Sequence, residues 1–455
     1  MTLTRRTFLK IAALGAAGLA TLRPRAADAA NTAPAAPAQR RPNVLFIFTD
    51  DMGAGDLGCT GGTEVKTPAL DRLAAEGLRF TQFYVASPIC SPSRVGVTTG
   101  MAPARWRIND YLHERQANRD HGQADWLDPK APTLARVFKE AGYATAHIGK
   151  WHLGGGRDVT DAPLPTAYGF DESLVSSHPL EGMGPALDPK MPRHATTAAL
   201  VDRTIDFVRR AGGRPFFVAL WPMDVHTPHV PDPAALPRYA DAPAARRRFD
   251  AVLDTYDRHL GRLLDFLRDA GLEENTIVLF SSDNGPEPSF EHRRTGGLRG
   301  MKWSLYEGGI RTPFIIRWKG MIPAGRVNAD TVLAAVDLLP SLAAMTGAAL
   351  PAGFEGDGED LSAALLGKPA ERKSPLFWEY GRANDYLKPR ETGDRSPNVA
   401  IREGRWKLLV NADGSGAELY NLAADPRETV NLAAQQPDVT RHLTDRALRW
   451  RRSLP

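Results

Sequence analysis

Apolar residues fall into two patterns along this chain. In the first, short unbroken runs stand between polar residues: Val44 to Phe48, Tyr143 to Ile148, Phe216 to Leu220 and Thr276 to Phe280. Such runs predict strands buried on both faces, as in a parallel sheet. In the second, apolar positions return with the period of a helix, over 68–76, 131–141, 195–211 and about 243–270. Thr67-Pro68 opens the first of these helices and Gly77 stops it. Helix and strand patterns alternate, which predicts an α/β fold with a large mixed, mostly parallel sheet sandwiched by helices. The pattern changes near residue 374. Leu376 to Tyr380, Asn398 to Arg402, Trp406 to Val410 and Glu418 to Tyr420 are short runs separated by turns such as Glu403-Gly404-Arg405 and Asp413-Gly414. They predict a smaller antiparallel sheet, closed by a helix over 437–452. The expected domains are therefore 42–373 and 374–455.

Each predicted strand of the larger domain hands over to polar residues. Asp50-Asp51 follow the first, Lys150 and His152 the second, Asp224-Val225-His226 the third, and Asp283-Asn284 the fourth. A parallel sheet gathers its ligands outside the carboxyl ends of its strands, so these residues are predicted to share one rim. Asp50, Asp51, Asp283 and Asn284 form an all-oxygen set that suits Ca²⁺ or Mg²⁺ and not zinc. Lys150, His152 and His226 beside them predict an anionic substrate. Taken singly, each acid reads equally well as a helix cap and each histidine as part of a surface turn; independent caps have no reason to combine this way.

The composition is that of an ordinary globular protein, 42% hydrophobic and 24% charged. The N-terminus stands apart. Thr4-Arg5-Arg6-Thr7-Phe8-Leu9-Lys10, the apolar run Ile11 to Leu22 and Ala27-Asp28-Ala29 read as a twin-arginine export signal with its cleavage site, over 1–29. The run of about 12 residues falls short of the roughly 20 that span a bilayer, so removal is expected and not stable membrane insertion. Residues 30–41 are a flexible lead-in rich in Ala and Pro. The leader holds Arg5, Arg6, Lys10, Arg23 and Arg25 against Asp28 alone, and so accounts for the formal charge of +4. No basic tract for nucleic acid remains; Arg246-Arg247-Arg248 sits in a helical pattern and reads as a solvated face. The expected location is the periplasm or outside the cell, reached through the twin-arginine translocase.

Ser87-Pro88-Ile89-Cys90-Ser91-Pro92-Ser93-Arg94 places a cysteine at the mouth of a predicted helix, with Ser91 as N-cap and Pro92 as first helical residue. Free N–H groups at that helix start and Arg94 one turn on favour an anion at Cys90. The only other cysteine is Cys59. One reading pairs the two in a disulfide; the other leaves Cys59 as a buried or loop thiol. Cys90-Ser91-Pro92-Ser93-Arg94, running on to Thr99-Gly100, resembles the Cys-x-Pro-x-Arg motif of the type I sulfatases, of the alkaline phosphatase superfamily. Thr98 departs from the motif, where an apolar residue is usual. A second motif of that family is similar to Gly142-Tyr143-Ala144-Thr145-Ala146-His147-Ile148-Gly149-Lys150-Trp151-His152. A third is similar to Gly300-Met301-Lys302 with Tyr306-Glu307-Gly308-Gly309-Ile310-Arg311-Thr312-Pro313.

The resemblance implies hydrolysis of sulfate monoesters. A formylglycine-generating enzyme in the cytoplasm oxidises Cys90 to formylglycine. One hydroxyl of the hydrated aldehyde attacks sulfur and expels the alcohol. The other then loses its proton, and the diol collapses to release sulfate. The implied metal is Ca²⁺, with Mg²⁺ possible, at Asp50, Asp51, Cys90, Asp283 and Asn284. Arg94 stabilises the diol, Asp283 helps deprotonate it and His152 takes the second proton. Lys150 and Lys302 bind sulfate, and His226 binds the ester oxygen and protonates the leaving group with Lys302. His229 competes for the role of His226, and Ser177 is a further sulfate-site candidate. The nearest rival is a phosphonate or phosphodiester hydrolase of the same superfamily; a non-catalytic sulfated-glycan-binding protein is the other. The substrate is expected to be a sulfated carbohydrate, read by the loops Gly154 to Arg193 and Pro286 to Gly297. Within these, Gly155-Gly156-Arg157-Asp158 and Glu291-His292-Arg293-Arg294 are either contacts to sugar hydroxyls or an acidic glycan, or solvated loops.

Overall fold

The first strand, β1 (Asn43–Thr49), is apolar throughout because both of its faces are covered. Val44, Phe46 and Phe48 enter one buried cluster, and Leu45 and Ile47 the other. The computed structural model describes residues 41–176, 187–188, 190–383 and 385–455. The predicted leader, the lead-in up to residue 40 and Ser177 lie outside them. Eight further strands complete the sheet: β2 (Leu78–Tyr84), β3 (Ala144–Gly149), β4 (Glu172–Val175), β5 (Phe216–Trp221), β6 (Thr276–Ser282), β7 (Arg311–Arg317), β8 (Arg326–Asn328) and β9 (Leu333–Ala334). Their order is β4-β3-β5-β1-β6-β7-β2-β8, with β9 also on β2. Only β7 runs against its neighbours. The fold is thus the mixed, mostly parallel α/β sheet that the pattern predicts.

The predicted sheet lacks β2, β4, β7, β8 and β9. The sequence of β2 mixes polar and apolar residues, and β7 contains Pro313, which ordinarily demotes a strand. Proline is tolerated there because the β2–β7 ladder skips a step between Phe80 and Phe83, opposite Pro313. Helices cover both faces, Ala244–Asp269 and Thr196–Arg210 among them. The helix Pro68–Ala75 is not capped by Thr67, whose hydroxyl donates to Asp71. Its cap is Asp257 of the long helix, whose two oxygens accept the N–H groups of Ala69 and Leu70, each at 2.9 Å. Nor is Arg246 solvated: it is 9% exposed and pairs with Asp250 at 2.6 Å.

A second sheet joins β10 (Leu376–Glu379), β11 (Val399–Glu403), β12 (Trp406–Val410) and β13 (Glu418–Asn421) in antiparallel order. One face packs Val399, Ile401, Leu408 and Leu419 on the helix Pro437–Arg452 through Leu443 and Ala447. The other sends Trp378, Leu409 and Tyr420 into the cluster that also holds Phe46 and Phe48 of β1. Trp378 Nε1 donates to the Val85 carbonyl at 2.8 Å, just ahead of the Cys90 segment. Among the described residues, no helix is long and apolar enough to cross a membrane.

Candidate active site

Four adjacent strands, β3, β5, β1 and β6, end at the same edge, and the residues that follow them converge there. Thr49 pairs with Ser282, so Asp50-Asp51 and Asp283-Asn284 emerge side by side. The Asp283 N–H donates to the Thr49 carbonyl, and the Asp51 N–H to Asp283 Oδ1 at 3.2 Å. Asp51 adopts φ 59°, a left-handed conformation that costs a non-glycine residue on the order of 1 kcal/mol and persists because its surroundings fix it. At the end of β3, Gly149 has φ 123°, and a Cβ there would lie 2.2 Å from the Trp221 carbonyl oxygen. Only glycine lets Lys150 N donate to that oxygen, at 2.8 Å. Gly285 is required in the same way, since a Cβ would meet the Gly308 carbonyl at 1.9 Å.

Cys90 arrives from the segment after β2. The helix spans Cys90–Thr99, with Ile89 and not Ser91 as its N-cap. Cys90 is therefore the first helical residue, and Ser91 serves elsewhere: its hydroxyl accepts the Leu112 N–H at 3.0 Å. Cys90 Sγ lies 3.5 Å from Asp50 Oδ1. Ligand atoms of Asp50, Asp51, Cys90 and His226 all lie within 4.8 Å of one another.

Three cations, Arg94, Lys150 and Lys302, surround this cluster. Arg94, with no exposed surface, donates to Asp283 Oδ2 at 2.7 Å, lies 3.8 Å from Asp50 Oδ1, and sits 5.1 Å from the Trp221 ring centroid. Lys150 Nζ donates to Asp50 Oδ2 at 2.7 Å, and Lys302 Nζ to Asp51 Oδ2 at 2.8 Å. His226 Nε2 stands 3.6 Å from Asp51 Oδ2 while Nδ1 donates to the Thr227 carbonyl at 2.7 Å. His229 turns away, with Nε2 on the Val225 carbonyl and its ring against Phe249. Of the two histidines, His226 is the one at the acids.

Burial disfavours ionisation of Asp50, but Lys150, His226, Arg94 and Lys302 outweigh it and hold the carboxyl well below its usual range. Asp283 goes the other way: burial and the nearby Asp50 push it up to about 7. Burial, reinforced by Asp50, raises the Cys90 thiol, so the helix start does not make it a thiolate. His152 has φ 55° and stands with its ring 6.4 Å from Tyr111. Burial, with Lys150 and Arg94 adding to it, keeps its imidazole neutral well below the ordinary range.

The donor set fits a hard divalent cation. Asp50, Asp51 and Asp283 bring three buried carboxylates, and Asn284 gives its amide nitrogen to Asp51 Oδ1 at 2.7 Å and to the Gly285 carbonyl. That leaves Asn284 Oδ1 buried and without a partner among the described residues. An orphaned buried acceptor beside three carboxylates is what an oxygen-ligated cation requires.

Sequence reasoning missed several supports of the site. Ser282 Oγ accepts the Met52 N–H at 2.8 Å and donates to the Asn284 carbonyl at 3.0 Å. Arg294 is 3% exposed and donates to the Asp51 carbonyl and to Asp56, so it is a buried clamp. His292 stays exposed and contacts Asp394 at 3.0 Å. A charged run in a loop carries no sign of which members turn inward. Cys59 and Cys90 are both free thiols.

Comparison with known proteins agrees with this geometry. The family model described as Sulfatase matches residues 42–348, and one described as N-sulphoglucosamine sulphohydrolase, C-terminal, matches 301–452. The N-acetylgalactosamine-6-O-sulfatase of Bacteroides thetaiotaomicron is 30% identical, over 89% of this chain and 92% of that protein. Arylsulfatase A of Homo sapiens is 32% identical, over 89% and 86%. A solved Bacteroides thetaiotaomicron structure, reported with a locus for glycosaminoglycan metabolism, superposes with TM-score 0.73 at 26% identity, covering 89% of this chain and 98% of that one. With its acids, cysteine and lysines on one rim of this sheet, the chain belongs to the sulfatase family of sulfuric ester hydrolases.

Proposed function

We propose that this chain hydrolyses O-sulfate monoesters of a carbohydrate, with residue 90 acting as formylglycine and Ca²⁺, or Mg²⁺, held by Asp50, Asp51, Asp283, Asn284 and residue 90. The observation that carries this reading is the convergence of the acid pair, Cys90 and His226 on one point, with Lys150 and Lys302 each bonded to one acid. The names of the relatives favour a sulfated sugar, N-acetylgalactosamine 6-sulfate among them. The hydrated aldehyde supplies an oxygen nucleophile whose product can collapse without water attacking sulfur, and the cation supplies a Lewis acid that offsets charge at the sulfate.

This chain's own side chains do the remaining work. Lys150 and Lys302, each bonded to one of these acids, would turn their ammonium hydrogens to sulfate oxygens where Asp50 and Asp51 hold the cation. Arg94 fixes the side chain of residue 90 from the next helical turn and holds Asp283, whose raised affinity for a proton suits it to accept one from the nucleophile. His226 binds the leaving oxygen through Nε2, because Nδ1 is committed to Thr227. His152, kept neutral, is available to take the proton that accompanies sulfate release. Export through the twin-arginine pathway, after modification in the cytoplasm, completes the proposal.

The test is peptide mass of protein from its own host, with a loss of roughly 18 Da expected at Cys90 for thiol-to-aldehyde conversion. Cys90→Ala is expected to abolish turnover of a sulfated sugar. Active protein with an intact thiol at Cys90 would overturn the mechanism.

A further inference from the structure

His226 reaches the acids from a loop. β5 ends at Trp221, and the next element is the short turn Leu236–Tyr239. A histidine that must meet a reacting oxygen within a few tenths of an ångström needs an anchor from outside such a loop. The stretch that opens the helix Thr196–Arg210 supplies two. Asp224 Oδ2 accepts the Thr197 N–H at 3.0 Å. Arg193 Nη2 donates to the Met223 carbonyl at 3.2 Å and to the His226 carbonyl at 2.6 Å, gripping the turn on both sides of Asp224. The same turn is closed by the His226 N–H on the Met223 carbonyl at 3.1 Å, so the two oxygens that Arg193 reads stand at a separation fixed by the turn.

Arg193 also differs from the other arginines around this helix. Arg203 and Arg210 are paired with Glu172, and Arg262 with Asp202. Arg193 has no carboxylate partner among the described residues; its hydrogen bonds there all go to the loop that carries His226. A half-buried guanidinium that gives up water for two backbone carbonyls is a costly way to brace a loop unless the position of that loop matters.

We propose that Arg193 is a positioning residue for His226: its grip on the Met223 and His226 carbonyls aims His226 Nε2 at the leaving oxygen of the ester. The inference rests on the sulfatase reading and on the assignment of His226 to the leaving group. It has a chemical signature that a purely structural brace lacks. A nitrophenolate departs without a proton, whereas a sugar alkoxide needs one, so a misplaced His226 penalises the two esters unequally.

The test compares 4-nitrophenyl sulfate with a sugar O-sulfate in four variants of the full-length, host-matured protein. Arg193→Met keeps the apolar stem and removes the donors. It is expected to lower kcat/KM for the sugar sulfate at least ~tenfold more than for the nitrophenyl ester, through kcat and not KM. Arg193→Lys, which retains a donating cation, is expected to fall between. In a His226→Ala background, Arg193→Met is expected to change the sugar sulfate rate by no more than about twofold, because the two residues act through one interaction. The comparison of the two esters is a ratio within one preparation, so a partly folded variant leaves it readable, and the double-variant rates are taken per folded, formylglycine-bearing protein. Equal losses on both esters, or independent losses in the double variant, would overturn the proposal. Absence of turnover of either ester by the unaltered protein would instead overturn the sulfatase reading.

Discussion

Arg94 shows how much of the site depends on one side chain. Its guanidinium has no exposed surface, pairs with Asp283, approaches Asp50 and covers the ring of Trp221. Removing one partner of a buried ion pair leaves the other charge uncompensated, at about 3–5 kcal/mol. Arg94→Met is therefore expected to lose that much stability in urea unfolding with a chelator present. Added Ca²⁺ is expected to restore part of it, because a cation on Asp50 and Asp283 supplies the missing positive charge and binds only the folded state. A loss of the same size with and without Ca²⁺ would separate Arg94 from the proposed cation. At this scale the sequence is informative about chemistry and poor on local geometry. The acids, Lys150 and His226 were legible as residues that follow strands, whereas Lys302 was legible only through the resemblance of its segment to a family motif. Ser91, expected as a cap, instead holds Leu112 N–H, and nothing in a Ser-Pro pair distinguishes those uses.

Among the elements, β3 ends with two glycine requirements that look alike in sequence and differ in cause. Gly142 precedes the strand with φ 86° and open space around the position of a Cβ. Gly149 ends it with φ 123° and the Trp221 carbonyl 2.2 Å from that position. Gly142→Ala is expected to cost only the backbone strain, about 1–2 kcal/mol. Gly149→Ala adds a collision with backbone that cannot swing aside, and is expected to cost on the order of 3 kcal/mol or more and to lower sulfate ester turnover by shifting Lys150. Thermal or urea unfolding of the two variants checks this, and equal losses would show that the clash is relieved without cost. The buried central strands were legible because both faces are covered, so their sequences are apolar without interruption. β2 and β7 were not, for the opposite reason: partial exposure breaks up the first, and Pro313 interrupts the second at a point where the ladder is already irregular. The helix Pro68–Ala75 was found while its cap was not, since Asp257 is distant in sequence.

Across the whole molecule, the two sheets are joined by a buried triad that no local pattern announces. Lys407 of β12 lies 2.9 Å from both Glu307 Oε1 and Glu428 Oε1, and all three side chains have no exposed surface. Glu307 starts the short helical turn Glu307–Ile310, soon after Lys302, and also accepts from Tyr84 of β2 and Arg311 of β7. One ammonium serves two carboxylates, and they respond in opposite senses. Burial opposes ionisation of Glu307, but Lys407, Arg311 and Arg402 overcome it and bring it down to about 2. Burial prevails at Glu428, against Lys407 and with Glu307 adding to it, and raises it to about 7. A carboxyl raised on folding binds its proton more tightly in the native state. Its contribution is complete below its unfolded value of 4.5 and is lost as pH rises through about 7. The contribution of Glu307 is present above 4.5 and lost as pH falls toward 2, outside that window. Glu428→Gln keeps the shape and stays neutral at every pH. Relative to it, the unaltered protein is expected to lose on the order of 1–3 kcal/mol of stability between pH 4.5 and 7. Urea midpoints at several pH values, with chelator in both samples, measure the difference; Asp283 titrates in the same window and cancels between the two proteins. Parallel curves would mean that Glu428 is already ionised at pH 4.5, with Lys407 neutralising both acids at once.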